Sequence, residues 1–264
     1  MNYLGVDFSG ARDAGKRIWI AEGVERSGQI VVEALYPARE LSGSVQRDES
    51  LAALQKYIGD LGNSVIGIDA PNSLPLQLMN PDWAVWFAAI AAHGSAQVFK
   101  ANCTSRWMKL TGSREKEGRR GCDREAGTPF SAWNERLYRQ TWYLLTGIYA
   151  PLLAAKKVTI APYQKPESGK PRLAEICPAS TLKRLELYGT KYKVKQASTV
   201  RENLLAALGH RASLQLSSSL QRITVEDGGG DALDALIALA AVVRRRKQIA
   251  KHDPASEGEI YVWD

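Results

Sequence analysis

Tyr3-Leu4-Gly5-Val6-Asp7 is an apolar run that ends on an acid, and Val65-Ile66-Gly67-Ile68-Asp69 closes the same way further along the chain. Runs of this length, rich in β-branched residues and bounded by polar segments, read as buried strands. A carboxylate is costly to bury alone, so an acid at the end of each strand points to a shared counter-charge. The carboxyl edge of a sheet with parallel neighbours is also where ligands usually bind. Three further acids belong with these two. Glu175 lies in Leu-Ala-Glu-Ile-Cys (173–177), and Asp231 and Asp234 open the helical run Asp-Ala-Leu-Asp-Ala-Leu-Ile-Ala-Leu-Ala-Ala-Val-Val, apolar on nearly every side. A helix of that kind suits burial flat against a sheet.

Working outward from the first strand, residues 17–24 and 29–36 are rich in β-formers and are joined by Glu25-Arg26-Ser27-Gly28, a hairpin-like connection. Three antiparallel strands are expected. Val45 to Ile58 carries Leu51, Leu54 and Ile58 at helical spacing and leads into strand 64–69, which implies a crossover to a parallel neighbour. Residues 172–177 read as another strand, and 180–187 and 198–208 as helices. The fold class expected is α/β, as one domain over residues 1–264, with a core of 1–78 and 171–264 and a largely helical insertion at 79–170. Within the insertion, 83–92 and 131–157 read as helices and 100–128 as a basic, glycine-punctuated stretch. Five of the seven tryptophans fall in this region, and their spacing suits helix-to-helix packing better than base stacking.

Composition is that of an ordinary globular chain, at 45% apolar and 24% charged residues. No stretch reaches 18 uncharged apolar residues, and no basic segment precedes an apolar run at the N-terminus, so a soluble, cytoplasmic protein without a membrane span is expected. Three cysteines in no Cys-x-x-Cys spacing suit neither a disulfide framework nor a zinc site. The net charge of +7 is concentrated in two places. Residues 100–124 hold eight Lys/Arg against three acids, and Arg244-Arg245-Arg246-Lys247 with Lys251 add five more positive charges. Such runs fit phosphate contact with a nucleic acid, or equally a solvated loop and a helix end that complements its dipole. Asp231, after three glycines, and Asp234 likewise have two open readings, as helix-terminal acids or as ligands.

Taken in order, Gly5-Val-Asp7-Phe-Ser-Gly10, Gly67-Ile-Asp69-Ala-Pro71, Glu175-Ile-Cys-Pro178-Ala, Asp231-Ala-Leu-Asp234-Ala-Leu and Glu257-Gly-Glu-Ile260 resemble the successive motifs of an uncharacterised family of predicted RNase H-like nucleases. The Asp231-x-x-Asp234 helix is also similar to the terminal helix of the RuvC-type junction resolvases. The resemblance implies an RNase H-like fold, with a five-stranded mixed sheet of three antiparallel and two parallel strands flanked by helices. It also implies a nuclease that hydrolyses phosphodiester bonds with divalent metal. Carboxylates suit Mg²⁺ or Mn²⁺, and two such ions could straddle a scissile phosphodiester. Asp7, Asp69 and Asp234 are the expected metal ligands, with Glu175 and Asp231 completing the catalytic set. Ser9, Arg12, Arg119 and Arg120 are the expected phosphate contacts, and His252 is read either as a proton-transfer group or as a surface histidine.

Two other classes compete with this reading. Asp7-Phe-Ser-Gly10 with Lys16, and Gly228-Gly-Gly230, loosely resemble the phosphate and adenosine loops of actin-like ATPases and sugar kinases. A non-catalytic nucleic-acid binding protein is the third reading, with the acids acting only as caps and turn residues.

Overall fold

The computed structural model describes residues 1–79, 83–189 and 191–263; positions 80–82 of the expected insertion lie outside them. Seven strands form one mixed sheet: β1 (Asn2–Asp7), β2 (Trp19–Arg26), β3 (Gln29–Pro37), β4 (Ser64–Asp69), β5 (Thr159–Ile160), β6 (Arg172–Glu175) and β7 (Leu214–Gln215). Their order is β5-β6-β4-β1-β2-β3-β7. The inner five comprise the antiparallel meander β1, β2, β3, followed by β4 and β6 parallel to β1. The expected count of five is therefore corrected to seven. The two additions are two-residue edges, β5 beside β6 and β7 beside β3, each too short to show a period-2 pattern in sequence.

Twelve α-helices complete the described fold. Before β4 come α1 (Ala14–Arg17), α2 (Arg39–Ser42) and α3 (Arg47–Asp60). Between β4 and β5 lie α4 (Trp83–Ile90), α5 (Ala96–Thr111), α6 (Gly121–Ala126), α7 (Tyr138–Leu144) and α8 (Ala150–Ala154). After β6 follow α9 (Pro178–Arg184), α10 (Ser198–Ala212), α11 (Ser218–Glu226) and α12 (Asp231–Ile249). A π-helical turn, Leu145–Tyr149, joins α7 to α8, so the helix expected over 131–157 begins later and carries a bulge. The basic stretch also differs from expectation, because its first half is α5. That helix is capped by Ser95, whose hydroxyl accepts from Val98 N, and ended by left-handed Gly112.

Strand alternation divides the core in two. Leu4, Val6, Ile66, Ile68 and Leu173 face one way and pack with α3 and the helices of the insertion, where Trp83, Trp86, Trp133 and Trp142 are all buried. Tyr3, Ala21, Val65, Ala174 and Ile176 face the other way, onto α12, which is itself covered by α9, α10 and α11. Every residue of α12 from Ala232 to Val243 is buried, which accounts for its apolar character on all sides. Each Leu, Ile or Val so placed contributes about 1.5–3 kcal/mol of burial free energy.

Two glycines allow that helix to lie close. Gly5 and Gly67 are register partners on β1 and β4. A Cβ on Gly5 would stand 2.1 Å from the carbonyl oxygen of Ala235, and one on Gly67 would stand 2.3 Å from a methyl of Val242. Among the described residues no helix is long and apolar enough to cross a membrane.

Candidate metal centre

The site is built by three elements that converge at the carboxyl edge of the sheet. β1 and β4 are parallel and in register, with Asp7 opposite Asp69, so both side chains leave the same face. That is also the face on which α12 lies. Because Gly5 meets Ala235, the preceding residue Asp234 in the first turn of α12 is delivered beside Asp7. One carboxylate oxygen from each of Asp7, Asp69 and Asp234 lies within 4.8 Å of the other two. Asp7 and Asp234 are buried and Asp69 is half-buried. Among the described residues neither the Asp7 nor the Asp69 carboxylate carries a hydrogen bond or an ion pair.

Electrostatics follow from this crowding. Burial raises Asp7 well above the usual carboxylate range, and the neighbouring Asp234 adds to the effect while Lys193 opposes it. Burial and then Asp234 push Asp69 up to about 7. Asp231, half-buried on the wall of the same cleft, is pushed up to about 6 by burial and by Asp227. Asp234 differs in having partners. Its Oδ1 accepts the Tyr192 hydroxyl at 2.7 Å, and its Oδ2 meets the Lys193 ammonium. Burial disfavours the charge on Lys193, but Asp234 and Asp7 outweigh it and hold the ammonium well above its ordinary pKa.

Asp7 and Asp69 line a cleft of about 440 Å³, and Asp234 is buried beside them. Arg17, Lys183 and Lys193 bring positive charge to its walls, and Phe130 and Tyr188 bring aromatic rings. Lys183 also donates to Gly127 O at 2.7 Å, so α9 is tied to the segment after α6 across the cleft. A second tie fixes the strand ends: Gln140 of α7 donates its Nε2 to Phe8 O at 2.6 Å and also to Asp69 O.

The remaining expected residues separate into those that reach the cleft and those that do not. Ser9 lines it. Asp231 also faces it and does not cap α12, because the N-cap is left-handed Gly230 and the capping contact comes from Asp227, which accepts from Ala232 N at 2.9 Å. Arg12 is exposed and does not line the cleft, a place taken by Arg17 one helical turn further on. Arg119 is exposed and donates to Thr128 O. His252 is exposed, at the far side of α12 from the acids.

Glu175 and Arg120 also line the cleft, but are engaged with each other and apart from the aspartate trio. Glu175 is the register partner of Ile68, one residue short of Asp69, so its side chain leaves the opposite face of the sheet from the metal-type acids. There it forms a two-point ion pair with Arg120, at 2.6 and 2.8 Å, and accepts Asn72 N at 2.9 Å. Burial raises its pKa and Arg120 opposes the rise. The guanidinium also binds Asp123 and Ser73 and is 1% exposed, so the five donors that would greet a phosphate are committed within the protein. Glu257 reinforces this junction by accepting Leu76 N at 3.1 Å and Gly121 N.

Tyr192, Lys193, Gln140, Arg17 and Asp227 were not marked by the sequence pattern. Only Asp227, followed by Gly228-Gly-Gly230, carried a turn signal; the others sit in polar or amphipathic segments like many that serve no site. Gly228 and Gly230 lie against Lys195 and Tyr192, so the triplet forms the seat of this loop. The second basic run lies at the far end of α12, about 15 Å from Asp234 at 1.5 Å per residue, with Arg246 paired to Glu25 at 3.1 Å. Comparison with family models, curated proteins and solved structures returns no match to this chain.

Proposed function

We propose that this chain is a divalent-metal-dependent nuclease of the RNase H-like kind. The observation that carries the reading is the trio Asp7, Asp69 and Asp234, with carboxylate oxygens within 4.8 Å at the carboxyl edge of the sheet. Two of the three are without partners, an arrangement that like-charge repulsion disfavours unless a cation completes it. The donors are hard oxygens, which fits Mg²⁺ or Mn²⁺. The inner strand order, three antiparallel and two parallel, supports the RNase H-like assignment, with β5 and β7 as additions at the edges.

Asp7, Asp69 and Asp234 would hold the metal, and Asp231, on the wall of the same cleft, would serve as a further carboxylate for a second ion or to orient water. When bound, such ions supply Lewis-acid stabilisation of a phosphodiester and a water ionised near neutral pH. The chain's own groups do the rest. Arg17 and Lys183 offer positive charge to the phosphates, and Phe130 and Tyr188 offer ring faces to bases. Gln140 holds the ends of β1 and β4 together so that Asp7 and Asp69 keep their spacing.

The test is cleavage of labelled single-stranded, duplex, hybrid and junction substrates with Mg²⁺, Mn²⁺ or chelator. Metal-dependent cleavage that disappears in Asp7→Asn, with substrate binding retained, supports the reading. Saturable ATP binding without cleavage of any substrate overturns it in favour of a phosphotransferase, and binding without cleavage in favour of a non-catalytic module.

A further inference from the structure

Asp234 is the one member of the trio with both carboxylate oxygens engaged, and the two partners are unlike in kind. Tyr192 is buried, at 6% exposure, and its hydroxyl approaches Oδ1 at 2.7 Å, a neutral hydrogen bond that fixes the rotamer. Lys193 reaches Oδ2 from the cleft wall with half its side chain in solvent, while the Asp234 side chain is 2% exposed. The lysine belongs to the irregular segment between α9 and α10, and its stem of four methylenes can swing without moving a helix. Of the other exposed cations lining the cleft, Arg17 is paired with Asp13 at 3.4 Å and Lys183 donates to Gly127 O at 2.7 Å, which leaves Lys193 as the ammonium directed at the trio.

Resting on the nuclease reading, we infer that Lys193 competes with the divalent ion for Asp234: it neutralises the trio when no metal is bound and, once displaced, turns to the substrate phosphate. Both Asp234 oxygens are engaged, so a divalent ion that takes an Asp234 oxygen at close range meets one of these two partners, and the Lys193 ammonium is the one whose charge opposes it. The lysine already lines the cleft, so the end of its swing is the space a phosphodiester would fill. Metal occupancy and lysine engagement are then reciprocally coupled, each weakening the other.

The experiment is calorimetric titration of Mn²⁺ into the wild-type protein and into Lys193→Met and Lys193→Gln, with oligonucleotide cleavage measured on the same preparations. Removing the competitor tightens Mn²⁺ binding by about tenfold, within the usual span of coupling between sites. The same variants lose kcat and raise KM for the oligonucleotide, because the phosphate contact is gone. Two variants of different polarity separate loss of the ammonium from a local packing fault, and melting curves confirm that each is folded. Unchanged or weaker Mn²⁺ binding in both, with wild-type cleavage intact, overturns the lysine's role and leaves the nuclease reading standing. Absence of Mn²⁺ binding in all three proteins overturns both.

Discussion

Arg120 and Glu175 meet as a buried two-point ion pair, at 2.6 and 2.8 Å, that fastens the insertion to the central sheet. The guanidinium comes from the residue that opens α6 and the carboxylate from the last residue of β6. With Asp123 and Ser73 on the same guanidinium, the junction forms part of the wall of the cleft that Asp7 and Asp69 line.

Replacing Arg120 with Met leaves Glu175 and Asp123 buried without their cation. The expected loss is about 3–5 kcal/mol in urea denaturation, the range for breaking one side of a buried pair. The double variant Arg120→Met with Glu175→Met recovers much of that loss, because no uncompensated charge remains. A single variant with wild-type stability would show that the pair contributes nothing to holding the insertion.

Asp7→Asn removes one negative charge from the trio. Without metal, at pH 8, the variant melts above the wild type, since burial and Asp234 both disfavour the ionised Asp7 carboxylate. With metal the order reverses. The wild type gains about 2.7 kcal/mol at a Mn²⁺ concentration 100 times its Kd, and the variant gains little. Thermal melts with and without chelator read both effects.

The metal-free protein loses stability as pH rises. Asp69 ionises near its ordinary 3.8 when unfolded, but near 7 when folded, with burial first and Asp234 second as causes. Between those values the folded chain holds a proton that the unfolded chain has released. The contribution is therefore complete below about pH 4 and gone above about pH 7. Asp231, pushed up to about 6, acts in the same direction. Melting temperatures in chelator fall from pH 5 to pH 8, and saturating Mg²⁺ opposes the fall, because metal binds the ionised carboxylates.

Gly5→Ala places a methyl 2.1 Å from Ala235 O and 2.2 Å from Leu239 N, both backbone atoms. Neither can yield without shifting α12. The expected destabilisation is at least about 3 kcal/mol, the upper end for overpacked cores, and Mn²⁺ affinity falls with it as Asp234 withdraws. Gly62→Ala, where a Cβ has no neighbour within 4 Å, serves as the control in both measurements.

Much of this arrangement was legible in the chain, and the rest was hidden for identifiable reasons. An acid ending an apolar run marks Asp7 and Asp69, and an apolar helix with two acids in its first turn marks α12, because each signal is local. The place of Glu175 depends on register between residues 68 and 175, a pairing no local pattern encodes, and one step along a strand exchanges the faces. Arg120 sits in Gly-Arg-Arg-Gly, which reads as a solvated turn; only the buried acids from β6 and α6 reveal otherwise. The helix Ala96–Thr111 was obscured by its charges, and Lys193 by the polar loop around it.

The third carboxylate arrives on the helix that begins at residue 231, long after the strands that carry the first two. A nascent chain that has formed the meander and β4 holds Asp7 and Asp69 side by side with nothing to close the triangle. Ion-binding competence is therefore acquired late in synthesis and in one event, the docking of α12 against the paired glycines. The order of the chain itself delays closure of that triangle until the sheet beneath it is covered.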